Sequence, residues 1–259
     1  MNKSAPITEF YDDDMPNLDK FFSNGKKEFW RFDKCKEMGI DKCVIFFPRH
    51  FKKIKAIYKK CKLIYEFMSA SSVSPVYLYD NKVLIALCPL GGPAAANLME
   101  ELVYVGVKTF IGTGSCGAIT ETDFNTFLIP TKAIRDEGTS YHYLPAETYI
   151  DVNKELAESI AKTLTKYNEP HFTGITWTTD GLYRETPKRI AARKKAGAVC
   201  VEMETASLAA VAKAKNVNYA CLLYFSDCNN GKEWQTRFYD KYALREKILN
   251  YSIEAILSL

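Results

Sequence analysis

The chain has 259 residues, of which 47% are hydrophobic and 13% aromatic, with a formal charge of +4. That is enough apolar material for one large α/β domain, and nothing forces a split into two. The mild charge without an aromatic platform or reading motif excludes a dedicated nucleic-acid binder, and no apolar stretch approaches a membrane span.

Residues 1–42 are polar and interrupted by Pro16 and Gly25, so they predict an arm packing on the body or on a neighbouring subunit, ahead of an α/β domain over 43–259. The acidic, polar start is not a secretory signal. Cys43, Cys88, Cys200 and Cys221 fall inside apolar runs, so the cysteines read as buried thiols of a reducing cytoplasm. With three histidines and no clustered ligands, no metal site is expected.

CVIFF (Cys43 to Phe47) reads as a buried strand. Phe51, Ile54, Ile57 and Tyr58 then recur between lysines at helical spacing, predicting an amphipathic basic helix over Arg49 to Lys62. Three strands follow between Leu63 and Cys88, with Asp80 and Asn81 as a hairpin turn. Gly91, Gly92 and Pro93 precede a helix carrying Leu98, Leu102 and Val105, and a glycine turn at a helix N-terminus can hold an anion. The strand from Val107 to Ile111 runs into Gly112, Gly114 and Gly117, which let the backbone come close to something. Phe127 to Tyr149 begins as a strand and becomes a polar loop, Asn153 to Tyr167 is helical, and HFTGITWTTD is a strand. A helix begins near Pro187. A strand ends at Ser226 and Asp227, and an amphipathic helix from Thr236 to Leu259 places Phe238, Tyr242, Leu249, Ile253 and Ile256 for burial. Strands alternating with helices argue a single-domain, three-layer α/β/α sandwich.

In AGAVCVEMETASLAAVAKA a small β-favouring run turns directly into an alanine-rich helix at Glu202 and Glu204. Ligands of open α/β sheets bind beyond the carboxyl ends of strands, and a carboxylate there can accept two hydrogen bonds from a vicinal diol. The alternative is a helix N-terminus dressed with acids to complement its dipole.

GTGSCGAI, RDEGTSYHYLP, VEMETA and YFSD, in this order, make residues 43 to 259 resemble the nucleoside phosphorylase family, which includes purine nucleoside phosphorylases, uridine phosphorylases and methylthioadenosine nucleosidases. The resemblance implies a distorted mixed central sheet, a homo-oligomer (dimer or hexamer), and cleavage of an N-glycosidic bond with no organic cofactor and phosphate as co-substrate. By position it makes Glu204 the ribose-binding carboxylate with Met203 beside the sugar, and Val201 and Glu202 part of the base pocket. Ser115, Cys116 and Gly117 match the turn touching phosphate and base, Tyr183 lies in the loop covering the base, and Ser226 and Asp227 match the base end. There Asp227 would give N7 of a purine a proton or a strong hydrogen bond; otherwise it is a helix N-cap or a salt-bridged surface acid. Lys232 and Arg237 follow closely enough to tune it. His142 is expected to pack a loop or interface. Thr186 and Lys188 stand where uridine-type members carry a glutamine and an arginine, which favours purine.

Phosphorylases typically carry an arginine where this chain has Gly112, and a Gly-Asp-Pro loop where it has Phe47, Pro48 and Arg49. Ser115, Gly92 and Arg49 are the remaining candidates to hold phosphate, with Arg135 and Arg184 as further sources of positive charge. Phosphorolysis of a purine nucleoside is the first expectation. The alternatives are hydrolysis with Glu202 as base for water, a uridine phosphorylase, and a non-catalytic nucleoside binder.

Overall fold

The computed structural model describes residues 38–47, 51–231, 233–236 and 241–259. Almost all of the expected arm, together with Arg49, Lys232, Arg237 and Phe238, lies outside them.

The described strands form one mixed sheet. Three parallel strands, β1 (Lys42–Phe46), β4 (Val83–Leu87) and β5 (Thr109–Ala118), pair in the order β4-β1-β5. β3 (Val73–Tyr79) and β2 (Cys61–Met68) extend the β4 side antiparallel. On its other side β5 pairs in parallel with β10 (Asn218–Asn229), which pairs antiparallel with β6 (Phe127–Asp136). β6 pairs in parallel with β8 (His171–Thr179), and β8 with β9 (Ala198–Glu202). Finally β9 returns to β5 through Gly117 and Ala118. The distortion expected of the central sheet is therefore a closure, in which five strands make a ring. Short strands β7 (Tyr149–Asp151) and β11 (Trp234–Thr236) flank β6 and β10.

Strand parity sorts the core into two layers. Cys43, Ile45, Leu84, Phe110, Cys221 and Phe225 pack on one face under α2 (Gly92–Tyr104) and α5 (Thr205–Ala214), which also touch each other. Val44, Phe46, Ile85, Ile111, Leu222 and Tyr224 pack on the other under α3 (Lys154–Lys166) and α6 (Lys241–Leu257). Continuous apolar runs such as VLIAL are what a strand covered on both faces requires. α4 (Pro187–Lys195) starts at Pro187, with Thr186 as its N-cap.

Several local expectations hold. Asp80 and Asn81 both take positive φ, 49° and 54°, and the Lys82 N–H donates to the Tyr79 carbonyl at 3.0 Å. That is the backbone a tight hairpin turn requires, and asparagine and aspartate tolerate it best. Others need correction. Among the described residues, 51–62, the expected basic helix is only a 3₁₀ turn (Phe51–Lys53) and α1 (Lys55–Tyr58), because Cys61 already opens β2. Phe51, Ile54 and Ile57 are nonetheless buried, so the amphipathic pattern was real and only its length was not. Tyr242 is not buried in the core, and the Lys53 ammonium donates to its hydroxyl at 3.3 Å.

The GSCG segment is no turn. β5 continues through it to Ala118, paired with β10 throughout. Glycines that suggested a loop serve close approach inside a strand.

Candidate functional site

Glu202 closes β9, and Glu204 stands at the N-cap of α5. Glu202 Oε2 accepts from the backbone N–H groups of Glu204 at 2.8 Å and Thr205 at 2.7 Å. Its Oε1 accepts from the hydroxyls of Thr178 at 2.5 Å and Thr176 at 3.2 Å. Burial pushes this carboxyl up from its ordinary range, and those donors pull it back. Glu202 thus satisfies the first free N–H groups of α5 and is fully engaged.

Glu204 makes no capping bond with its own helix. Its Oε1 accepts from the Gly91 N–H at 2.7 Å. Burial, then the neighbouring Glu202 charge, pushes its carboxyl up to about 8. The helix-capping reading of these acids therefore holds for Glu202 and not for Glu204.

The same contact settles the glycine turn before α2. Gly91 has φ +99°, a conformation that L side chains rarely adopt, and its N–H is aimed at Glu204. The group held there by the turn's N–H is the protein's own Glu204 carboxyl. Gly92, expected at phosphate, packs against α5, where a Cβ would lie 2.3 Å from Ser207 Oγ.

A cavity of about 100 Å³ is lined by Glu204, Glu202, Gly112, Gly114, Ser115 and Tyr219, with Phe47 and Leu90 among its other walls. Ser115, expected at phosphate, is one of its lining residues. Gly112 faces Tyr219: a Cβ there would lie 2.6 Å from its hydroxyl, so the tyrosine fills the space of an absent side chain. Tyr219 is buried and its ring is stiff, so Gly112→Ala is expected to destabilise the protein by about 1–3 kcal/mol. Thermal unfolding checks this, and an unchanged melting temperature would mean that Tyr219 moves freely.

Further along β5, Gly117 lies against Asp227. Asp227 is its register partner, and a Cβ on Gly117 would meet Asp227 Oδ2 at 3.2 Å and Val201 Cγ1 at 3.4 Å. β10 carries an extra residue between Phe225 and Asp227. Phe225 pairs with Cys116 and shares its core face, so this bulge re-aims Asp227 to the side of Gly117. Asp227 lies within β10 and so is no helix N-cap, and among the described residues it has no ion pair. Its Oδ1 accepts from Ser226 Oγ at 2.6 Å, and its Oδ2 accepts from the Trp234 indole N–H at 2.7 Å. Trp234 was not singled out in the sequence; only its position across the β10–β11 pairing reveals it.

Other expected residues are not gathered here. Tyr183 is 93% exposed on a 3₁₀ turn and does not line the cavity. Met203 is half-buried in the bend between the two acids. Arg135 gives its N–H groups to Ser140, Leu144 and Pro145, which commits it to shaping its own loop. Arg184 and His142 are exposed, and Lys188 likewise. Among the described residues, no lysine or arginine lines the cavity.

A family model described as the phosphorylase superfamily matches residues 44–257. The guanosine phosphorylase of Halorubrum lacusprofundi is 29% identical over 141 residues, 54% of this chain and 58% of that one. The uridine phosphorylase of Haemophilus influenzae is 29% identical over 108 residues, 41% and 43% of the two chains. The match therefore spans about half the length of these two relatives. The purine nucleoside phosphorylase of Plasmodium vivax is 22% identical over 224 residues, 85% of this chain and 82% of that one. Among solved structures, an AMP nucleosidase from Bacteroides thetaiotaomicron superposes with a TM-score of 0.68 at 24% identity, covering 83% of this chain and 88% of that one, a likeness of fold.

Proposed function

Because the chain belongs to the phosphorylase superfamily, we propose that it cleaves the N-glycosidic bond of a purine nucleoside, releasing the free base and passing the sugar to phosphate. The observation that carries this reading is the placement of two differently held carboxyls along one strand. Gly112 to Ser115 line the cavity with Glu204, and Gly117 backs Asp227. From Gly114 to Gly117 the strand advances about 10 Å, the length of a nucleoside.

As the bond from C1′ to the base nitrogen breaks, its electron pair leaves with the base and positive charge builds on the sugar. Glu204 accepts from the sugar hydroxyls and keeps negative charge near the ring. Asp227 gives N7 of the departing purine a proton or a strong hydrogen bond. An oxygen nucleophile completes C1′, giving a sugar 1-phosphate if it is phosphate. The preference for purine is supported by Thr186 and Lys188, since the first caps α4 and the second is exposed, so neither offers a uracil-reading fork.

A second reading, hydrolysis, draws on a specific observation. The nucleophile side carries two carboxylates, Tyr219 fills the space beside Gly112, and no described lysine or arginine faces the cavity. A phosphate dianion is poorly matched to such a lining, whereas water is not penalised. The engaged Glu202 is not free to serve as base for that water.

The test measures products from inosine, adenosine, uridine and methylthioadenosine with and without phosphate, resolving free sugar from sugar 1-phosphate. Phosphate-dependent base release with a 1-phosphate product is the expected result. Free sugar without phosphate would replace it by hydrolysis, and a preference for uridine would overturn the purine assignment.

A further inference from the structure

Among the described residues, Asp227 is held at both oxygens by two donors of different kind. Ser226 is its chain neighbour, and its hydroxyl lies within reach of both Asp227 Oδ1 and the Cys116 carbonyl, at 2.6 and 3.4 Å. Trp234 comes from a separate strand and brings a donor-only indole N–H to Oδ2 at 2.7 Å. Its ring is 68% exposed, so burial does not explain where it sits. What places it is the β10–β11 pairing, which sets Asp227 opposite Thr236 and Trp234 opposite Asn229. The hairpin is itself tied down. Gly231 and Glu233 N–H groups donate to the side chains of Asn229 and Asn230, and Asn229 Nδ2 donates to Glu185 at 3.3 Å.

Resting on the purine-cleaving reading above, we infer that Trp234 is a positioning residue for Asp227, fixing its carboxyl over Gly117 so that it meets the departing base. The indole N–H occupies one lone-pair direction of Oδ2, leaving the other to carry the hydrogen that Asp227 gives to N7 of the base. Ser226 alone would hold the carboxyl at one oxygen, which permits rotation about the side chain's terminal bond. The indole removes that freedom. A misplaced acid loses its effect only where the leaving base needs a proton, so the role is read in the dependence on leaving group.

The experiment compares inosine with 7-methylinosine, whose base already carries a positive charge and leaves without protonation, in wild type, Trp234→Phe, Trp234→His and Asp227→Asn. In Trp234→Phe, kcat on inosine is expected to fall at least about tenfold, with KM changed by less than about threefold and 7-methylinosine cleaved at near the wild-type rate. Trp234→His, which keeps a ring N–H, should recover part of the loss. Asp227→Asn should show the same pattern more strongly. The ring is exposed, so the phenylalanine variant should fold, and its melting curve checks this. Equal losses on both substrates in Trp234→Phe, or none on either, would overturn the positioning role while leaving the function intact if Asp227→Asn still discriminates. Failure of Asp227→Asn to discriminate, or of wild type to cleave either substrate, would overturn the functional reading beneath it and this inference with it.

Discussion

Glu204→Gln is expected to lower kcat/KM on a nucleoside by about 10²- to 10³-fold while leaving the protein folded, because a glutamine cannot ionise to oppose the charge developing on the sugar. The fold survives because the amide oxygen of glutamine can still accept from the Gly91 N–H, the one short side-chain contact that ties Glu204 to the turn before α2. The substitution carries a second, independent signature in pH. Burial and then Glu202 push the Glu204 carboxyl up to about 8 from an ordinary value of 4.5. An acid whose folded value is raised binds more protons folded than unfolded between those limits. The stability of the ligand-free protein therefore falls as pH rises from about 4.5 to about 8, and the loss is complete above that range. The contribution is on the order of a few kcal/mol. Melting temperatures taken across this window should decline in wild type and flatten in Glu204→Gln. Parallel profiles would show that Glu204 does not titrate there, and full activity in the variant would remove it from the sugar site.

Glu202→Ala has the opposite signature. It strands two backbone N–H groups at the start of α5 and the hydroxyls of Thr176 and Thr178, all buried, and is expected to cost about 3 kcal/mol or more of stability. Glu202→Gln should cost much less, because the threonine hydroxyls can turn to accept from the amide. Denaturant midpoints decide this. An alanine variant within about 1 kcal/mol of wild type would mean that Glu202 is not the anchor of this helix. Two acids, one residue apart, are thus expected to separate into a group whose loss removes activity and a group whose loss removes structure.

The local elements were legible where a local rule governs them. The hairpin at Asp80 and Asn81 follows from two residues that tolerate positive φ. α3 begins at Asn153, whose side chain accepts from the Leu156 N–H at 2.8 Å, as an N-cap should. Failures came where distant pairing overrides local preference. The glycines of β5 look like a turn because nothing in their own sequence shows β10 and β9 on either side of them. The basic helix was too long because periodicity alone does not reveal that Cys61 must pair with Tyr79.

By itself, the sequence determined the alternation of strands and helices, the two-faced apolar strands, and the carboxylate pair at the end of β9, since each depends on residue type and spacing along the chain. Only the tertiary structure decided which of the two acids caps the helix, that the turn before α2 holds the carboxyl of Glu204, that Tyr219 fills the place beside Gly112, and that Trp234 reaches Asp227. Each of these last four brings together groups from separate elements, at separations set by strand register, a bulge and helix packing. Such distances are products of closing the sheet into a ring, and no local pattern of residues encodes them.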